Sequence, residues 1–192
     1  MFSLNRPLQI KAYKLDSVDS VPSISNNDMH NVKVIYFLRH GQGFHNLLAD
    51  LSRAQGIEWK QFSQSPLNPY VMPETLDAPL TQKGRDQARS IQSIVREFPK
   101  EEQPELVVLS PNCRALQTGV LAFEKILETN RNVPFISHEM VREETGVHIC
   151  DKRRPKSQQE KEFPMVDFSL IQEEDVIFRS DRRESKMEVG DR

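Results

Sequence analysis

The stretch from Val34 to Asn46 constrains this chain more than any other. It opens with five apolar, β-favouring residues, Val34-Ile35-Tyr36-Phe37-Leu38, set between Lys33 and Arg39. That is the pattern of a strand covered on both faces at the centre of a parallel sheet. The run stops at Arg39-His40-Gly41. Open α/β sheets bind their ligands at the carboxyl ends of such strands, so a guanidinium, an imidazole and a glycine stand where chemistry is expected. Gly41 and Gly43 allow a sharp turn and a close approach of backbone to a bound group. Gln42 to Asn46 then lead into a periodic apolar segment (Leu47, Leu48, Leu51, Ala54) closed by Gly56. The expectation is strand, tight loop, helix amino terminus. Such a terminus offers free N–H groups and a positive dipole end to an anion, and Arg39 adds a planar fork for phosphate or carboxylate. His40 is left as the candidate nucleophile.

The rest of the chain alternates between helical and strand patterns. Residues 63–79 hold Pro66, Pro69, Pro73 and Pro79 and form a loop too long for a mere connector, hence a candidate pocket wall. Thr81 is placed to cap a helix in which Ala88, Ile91, Val95 and Phe98 recur at helical spacing, with Arg85, Arg89 and Arg96 turned outward. Residues 106–109 read as a second buried strand ending at Ser110-Pro111, which repeats the layout of the first motif. Arg114 then falls in the opening turn of a helix whose apolar face is Leu116, Val120, Phe123 and Leu127. An arginine there opposes the helix dipole and needs a reason. A third strand over 133–136 leads through His138 to Arg142-Glu143. This order predicts an α/β fold, a three-layer α/β/α sandwich around a mainly parallel sheet. Beyond Cys150 the sequence turns polar and charged, with one apolar cluster (Phe163, Met165, Val166, Phe168, Leu170, Ile171) and no further strand. Residues 1–31 are expected to be an extended or partly disordered lead-in, and 32–192 the folded domain.

The charge balance narrows the partners. With 26 Lys plus Arg against 28 Asp plus Glu, the net charge of −2 gives no general attraction to nucleic acid or to an anionic membrane. Cys113 and Cys150 lie far apart without a Cys-x-x-Cys spacing, which argues against a zinc site or disulfide framework. The plain reading of each is a small packed side chain in a reducing compartment. No apolar run reaches membrane-spanning length and residues 1–31 lack a signal-peptide pattern, so a cytoplasmic location is expected.

Four motifs occur in order: Arg39-His40-Gly41, Leu80-Thr81-Gln82-Lys83-Gly84, Leu109-Ser110-Pro111-Asn112-Cys113-Arg114-Ala115-Leu116-Gln117-Thr118, and Arg142-Glu143. Over residues 34–178 the chain resembles the histidine phosphatase superfamily, the phosphoglycerate-mutase-like enzymes. The stretch 146–154 is similar to a branch labelled phosphoglycerate-mutase-like protein. The resemblance implies a phosphomonoester hydrolase that forms a phosphohistidine on His40, with a small phosphorylated substrate and neither metal nor cofactor. It also implies that Arg39, Asn46 and Arg114 bind phosphate and that Glu143 passes a proton to the leaving oxygen. The competing reading of Glu143 is a surface carboxylate paired with Arg142. Gly43, His45, His148 and Arg153 are candidate pocket residues. The run from His148 through Asp151, Lys152, Arg153 and Arg154 could form a substrate-side basic patch; the competing readings are a nuclear-localisation run through Lys156 and a solvated charge run, the commonest fate of such a stretch.

Rival functions are a non-catalytic phosphoester-binding scaffold and, less favoured, a phosphoglycerate-type mutase. Gly43 stands where mutases of the family carry a substrate-binding serine, which tips the choice toward a phosphatase. A metallohydrolase is weaker still, because no two histidines and a carboxylate fall at ligand spacing on one element. The family's second histidine follows a late strand, and neither is found after Phe178. The C-terminal strand is therefore expected to be missing, the chain to be an incomplete product, and residues 182–192 to begin a helix.

Overall fold

A computed structural model describes residues 34–57, 67–99, 102–129 and 133–191. The expected lead-in over 1–31 and the first part of the proline-rich loop, residues 63–66, lie outside the described residues.

The fold is α/β. In chain order its elements are α1 (Phe44–Ala54), α2 (Gln82–Glu97), β1 (Val107–Leu109), α3 (Cys113–Ala122), α4 (Glu124–Thr129), β2 (Phe135–Ser137), α5 (Lys156–Glu162) and α6 (Lys186–Asp191). Short 3₁₀ turns occupy Pro73–Thr75, Glu139–Val141 and Ile149–Asp151. α2 starts where the sequence places its cap, since the Thr81 hydroxyl accepts from the Gly84 N–H at 3.1 Å. α2 buries Ala88 and Val95 and packs along α3, which buries Leu116 and Ala122. β1 and β2 pair in parallel, Val107 with Phe135, Val108 with Ile136 and Leu109 with Ser137. Asp167 adds a parallel bridge on the far side of β2. Its N–H donates to the Phe135 carbonyl at 2.7 Å, and its carbonyl accepts from the Ser137 N–H at 2.8 Å.

The core joins Val95, Val107, Leu109, Leu116 and Phe135 to Phe163, Val166, Phe168 and Ile171. The late apolar cluster thus closes the sheet from the carboxyl side, while its Met165 and Leu170 remain exposed. Parallel pairing and a helix-covered sheet agree with the sequence, and the strand expected over 133–136 is found at Phe135–Ser137. The charged tail does form a helix, α6. Among the described residues no helix is long and apolar enough to cross a membrane.

The segment 34–38 departs from expectation. It is not a strand, and Val34, Ile35, Phe37 and Leu38 are exposed, Phe37 at 93%. An apolar run says what a segment would bury, but not which backbone it will pair with. β2 has β1 on one side and the Asp167 bridge on the other, and the outer edge of β1 pairs with no segment among the described residues. The 34–38 run makes no backbone ladder with either strand among the described residues, and is tied instead by the Tyr36 ring stacked on Phe98 at 4.8 Å.

Candidate active site

The loop carrying His40 is clamped by the second and third motifs. The Gly41 N–H donates to the Thr118 hydroxyl at 3.1 Å, and that hydroxyl donates to the Arg114 carbonyl at 2.7 Å. The Thr81 N–H donates to the Gln42 carbonyl at 2.9 Å, the Phe44 N–H to the Pro79 carbonyl at 3.0 Å and the Leu80 N–H to the Gln117 side-chain oxygen at 2.8 Å. Gly84 explains its place in the second motif by contact. A Cβ there would lie 2.2 Å from the Gln42 carbonyl oxygen, and one on Gly41 would lie 2.3 Å from the Gly84 carbonyl oxygen. Only glycines let these two backbones touch.

Within that loop the His40 Nδ1 stands 2.7 Å from the Gly41 carbonyl oxygen. A carbonyl can only accept, so Nδ1 carries a proton and Nε2 is the ring nitrogen turned toward the site. Nε2 faces the Glu143 carboxylate, 3.8 Å from its Oε2, and the other oxygen of Glu143 lies 3.3 Å from Arg114 Nη2. The structure therefore brings His40, Arg114 and Glu143 together from three separate segments. Burial pushes the Glu143 carboxyl up, but the His40 ring and the Arg114 charge beside it outweigh that and hold it well below the usual carboxylate range.

Arg114, at the second position of α3, is 1% exposed and is the reason its helix begins with a cation. Its Nη1 donates to the Cys150 carbonyl at 2.7 Å and its Nη2 to Asp151 Oδ1 at 2.9 Å. Its buried Nε has no hydrogen-bond partner among the described residues, so the fork retains donor capacity. Asp151 is buried as well. Burial works against its charge, and Arg114 pulls the other way.

The remaining sequence candidates separate. His45 is buried, with its ring centroid 6.0 Å from His40 and 5.8 Å from Tyr70, which in turn lies 5.1 Å from the His148 ring. Burial first, then the Arg114 charge, lowers the His45 pKa to about 3, so its ring is neutral at physiological pH. Gly43 makes room for that ring, because a Cβ there would lie 2.6 Å from it. The Asn46 side-chain oxygen accepts from the Gly43 N–H at 3.0 Å and so braces the loop. Arg39 is exposed and makes no hydrogen bond or ion pair among the described residues, although its charge reaches His45.

Arg153 corrects the sequence reading. It is a buried structural cation, with Nε donating to Glu139 Oε1 at 2.8 Å and Nη2 to the Gln172 and Glu174 carbonyls, each at 2.8 Å. Nor are residues 148–154 a solvated run, since His148, Asp151 and Arg153 are all buried. Arg142 does not pair with Glu143. It turns to Glu139 at 2.9 Å and Asp175 at 2.8 Å, because its extended backbone sends neighbouring side chains opposite ways. Both cysteines are free and buried, and burial pushes the Cys113 thiol up to about 12, as befits packed side chains.

Sequence reasoning missed the roles of Asp77 and Arg183, and named Asp151 only within a charged run. Buried Asp77 accepts from the Cys113 N–H at 2.8 Å and from Arg154 Nε at 3.1 Å, which ties the proline-rich loop to α3. Its only sequence signal is a carboxylate beside a turn. Asp151 and Arg183 sit in charge-rich segments that offer no periodicity to find them by. Among the described residues no group of three His, Cys, Asp or Glu side chains is placed to hold a metal ion.

An imidazole, a buried arginine and a carboxylate thus converge on loops of an α/β protein. No family model matches the sequence. Curated relatives do: the chain is 32% identical over 188 residues to phosphoglycerate mutase-like protein 1 of Arabidopsis thaliana, covering 85% of this chain and 62% of that protein. It is 30% identical over 190 residues to a probable phosphoglycerate mutase of Saccharomyces cerevisiae, covering 87% and 62%. A probable phosphatase of Schizosaccharomyces pombe is 26% identical over 151 residues, covering 78% and 58%. The chain belongs to the histidine phosphatase superfamily. It spans less than two thirds of the length of these relatives.

Proposed function

We propose that this protein is a phosphomonoester hydrolase that works through a phosphohistidine on His40. The observation that carries the reading is the His40 Nδ1 to Gly41 carbonyl bond, which turns Nε2 toward Glu143 and its partner Arg114. A neutral imidazole held in that tautomer is a competent nucleophile at neutral pH without an activating base. Phosphoryl transfer asks the protein chiefly for positioning and charge neutralisation, which Arg114 supplies, with Arg39 at the rim and the amino terminus of α1.

A phosphate dianion arriving between Arg114 and His40 draws the arginine's charge from Glu143 and sets negative charge beside it. The carboxyl then rises in pKa and takes up a proton. Nε2 attacks phosphorus, the ester P–O bond breaks, and the Glu143 proton goes to the leaving oxygen. Water next attacks phosphorus and passes its proton to the Glu143 carboxylate. The P–N bond breaks, and inorganic phosphate leaves a neutral His40.

Hydrolysis is favoured over mutase activity by Gly43. It offers no hydroxyl to a phosphoglycerate, and the His45 ring fills the space beside it. One relative's name supports phosphatase and another mutase, so the substrate panel includes both a generic aryl phosphate and phosphoglycerates. Turnover should vanish in His40→Ala and persist in EDTA. Loss of activity on chelation, or phosphoglycerate isomerisation without net phosphate release, would overturn the reading. Phosphate binding without turnover in the wild type would assign the protein to the scaffold alternative.

A further inference from the structure

The C-terminal part of the described chain lies across the segment that carries Glu143. The Glu184 N–H donates to the Thr145 carbonyl at 2.9 Å, the Thr145 N–H to Glu184 Oε2 at 2.9 Å, and the Val147 N–H to the Arg179 carbonyl at 2.8 Å. These bonds seat Arg183, whose side chain is 15% exposed, against the outer wall of the site. Its Nη1 donates to Asp151 Oδ2 at 2.6 Å and to the Gly146 carbonyl at 2.9 Å, its Nη2 to the Glu144 carbonyl at 2.7 Å and its Nε to Glu144 Oε1 at 3.1 Å. Asp151 gives its other oxygen, Oδ1, to Arg114 at 2.9 Å. One buried carboxylate is thus divided between two guanidinium groups.

That division has two physical effects. With Oδ2 held by Arg183, the Asp151 carboxylate cannot rotate, so it offers Oδ1 to Arg114 in one orientation. Together with the Cys150 carbonyl on Nη1 it fixes the guanidinium at two points. The second effect is on charge. Arg114 has two carboxylates beside it, Asp151 at 2.9 Å and Glu143 at 3.3 Å, which together would cancel its attraction for an anion. A second guanidinium on Asp151, itself shared with Glu144, offsets part of that negative charge.

We infer that Arg183 is a positioning residue for the phosphate clamp: through Asp151 it fixes Arg114 in its binding orientation and keeps that guanidinium's charge available to the substrate phosphate. The inference rests on the reading of Arg114 as the phosphate ligand, and its test separates the two. Binding of inorganic phosphate to the full chain is measured by calorimetry. Arg114→Gln should weaken it strongly, Arg183→Gln about tenfold, as expected for loss of a charge-assisted bond, and Arg182→Ala, an exposed neighbour, not at all. Because Arg183 also ties down the strap, the decisive comparison is made in an Asp151→Asn background, where Arg183→Gln should cause no further loss. If that variant does not fold, the Nε–H resonance of Arg114 is followed by NMR and should move in Arg183→Gln but not in Arg182→Ala. Arg183→Gln binding phosphate like the wild type, losses that add in the double variant, or an unmoved Arg114 resonance would overturn the inference. An Arg114→Gln protein that binds phosphate normally would overturn the reading of the site itself.

Discussion

Nε2 of His40 and Oε2 of Glu143 lie 3.8 Å apart, with the second oxygen of Glu143 3.3 Å from Arg114. A carboxylate so placed is ionised in the free protein, and in the proposed mechanism it gains its proton when the substrate phosphate arrives. Its value as an acid then depends on the leaving group. Glu143→Gln should slow hydrolysis of an alkyl monoester by about 10²–10⁴-fold and that of 4-nitrophenyl phosphate far less, since a nitrophenolate leaves without a proton. Steady-state kinetics on the two esters checks this, and equal losses on both would remove Glu143 from the acid role.

His45 makes stability depend on pH. Its folded pKa of about 3 lies below that of the unfolded chain, so the unfolded state binds a proton that the folded state refuses. Stability falls as pH drops below about 6.5 and continues to fall toward the folded value. Between pH 7 and pH 5 the wild type should lose about 2 kcal/mol more than His45→Gln. Urea unfolding at the two pH values measures the difference, and parallel losses in both proteins would mean that the ring is not buried neutral.

Motif two acts by letting backbones touch. Gly84→Ala would place a methyl 2.2 Å from the Gln42 carbonyl oxygen, where a backbone has to shift to admit it. The expected cost is about 1–3 kcal/mol of stability, with turnover falling further than stability because Gln42 belongs to the loop that carries His40. Denaturant unfolding and kcat measured together test this. A variant with wild-type kcat would show that the loop tolerates the shift.

Local patterns made part of this molecule legible in the sequence. Thr81 as a cap, Ala88, Val95 and Leu116 as core, and Arg114 as an arginine at a helix start that needs a reason all follow from position within one element. What the sequence could not convey is who pairs with whom over distance. The 34–38 run has the composition of a central strand, yet lies exposed where no ladder receives it. Arg153 reads as a surface charge until Glu139, 14 residues before it, and the Gln172 carbonyl, 19 after, close round it. His148 and Asp151 reverse in the same way, and Arg183 enters the site across 32 residues by a contact no periodicity announces. His40, Arg114 and Glu143 converge as the motifs suggested, while Asn46 braces the loop that carries His40.

The central claim is that His40 Nε2 takes the phosphoryl group, and the most direct measurement is to trap that bond. The protein is mixed with an aryl phosphate, quenched in alkali within the first turnovers, and digested for mass spectrometry. A phosphate adduct should appear on the peptide bearing His40, stable to base and lost in acid, and be absent from His40→Ala. Turnover with no adduct on His40 under conditions that preserve phosphohistidine, or the adduct on another residue, would contradict the mechanism.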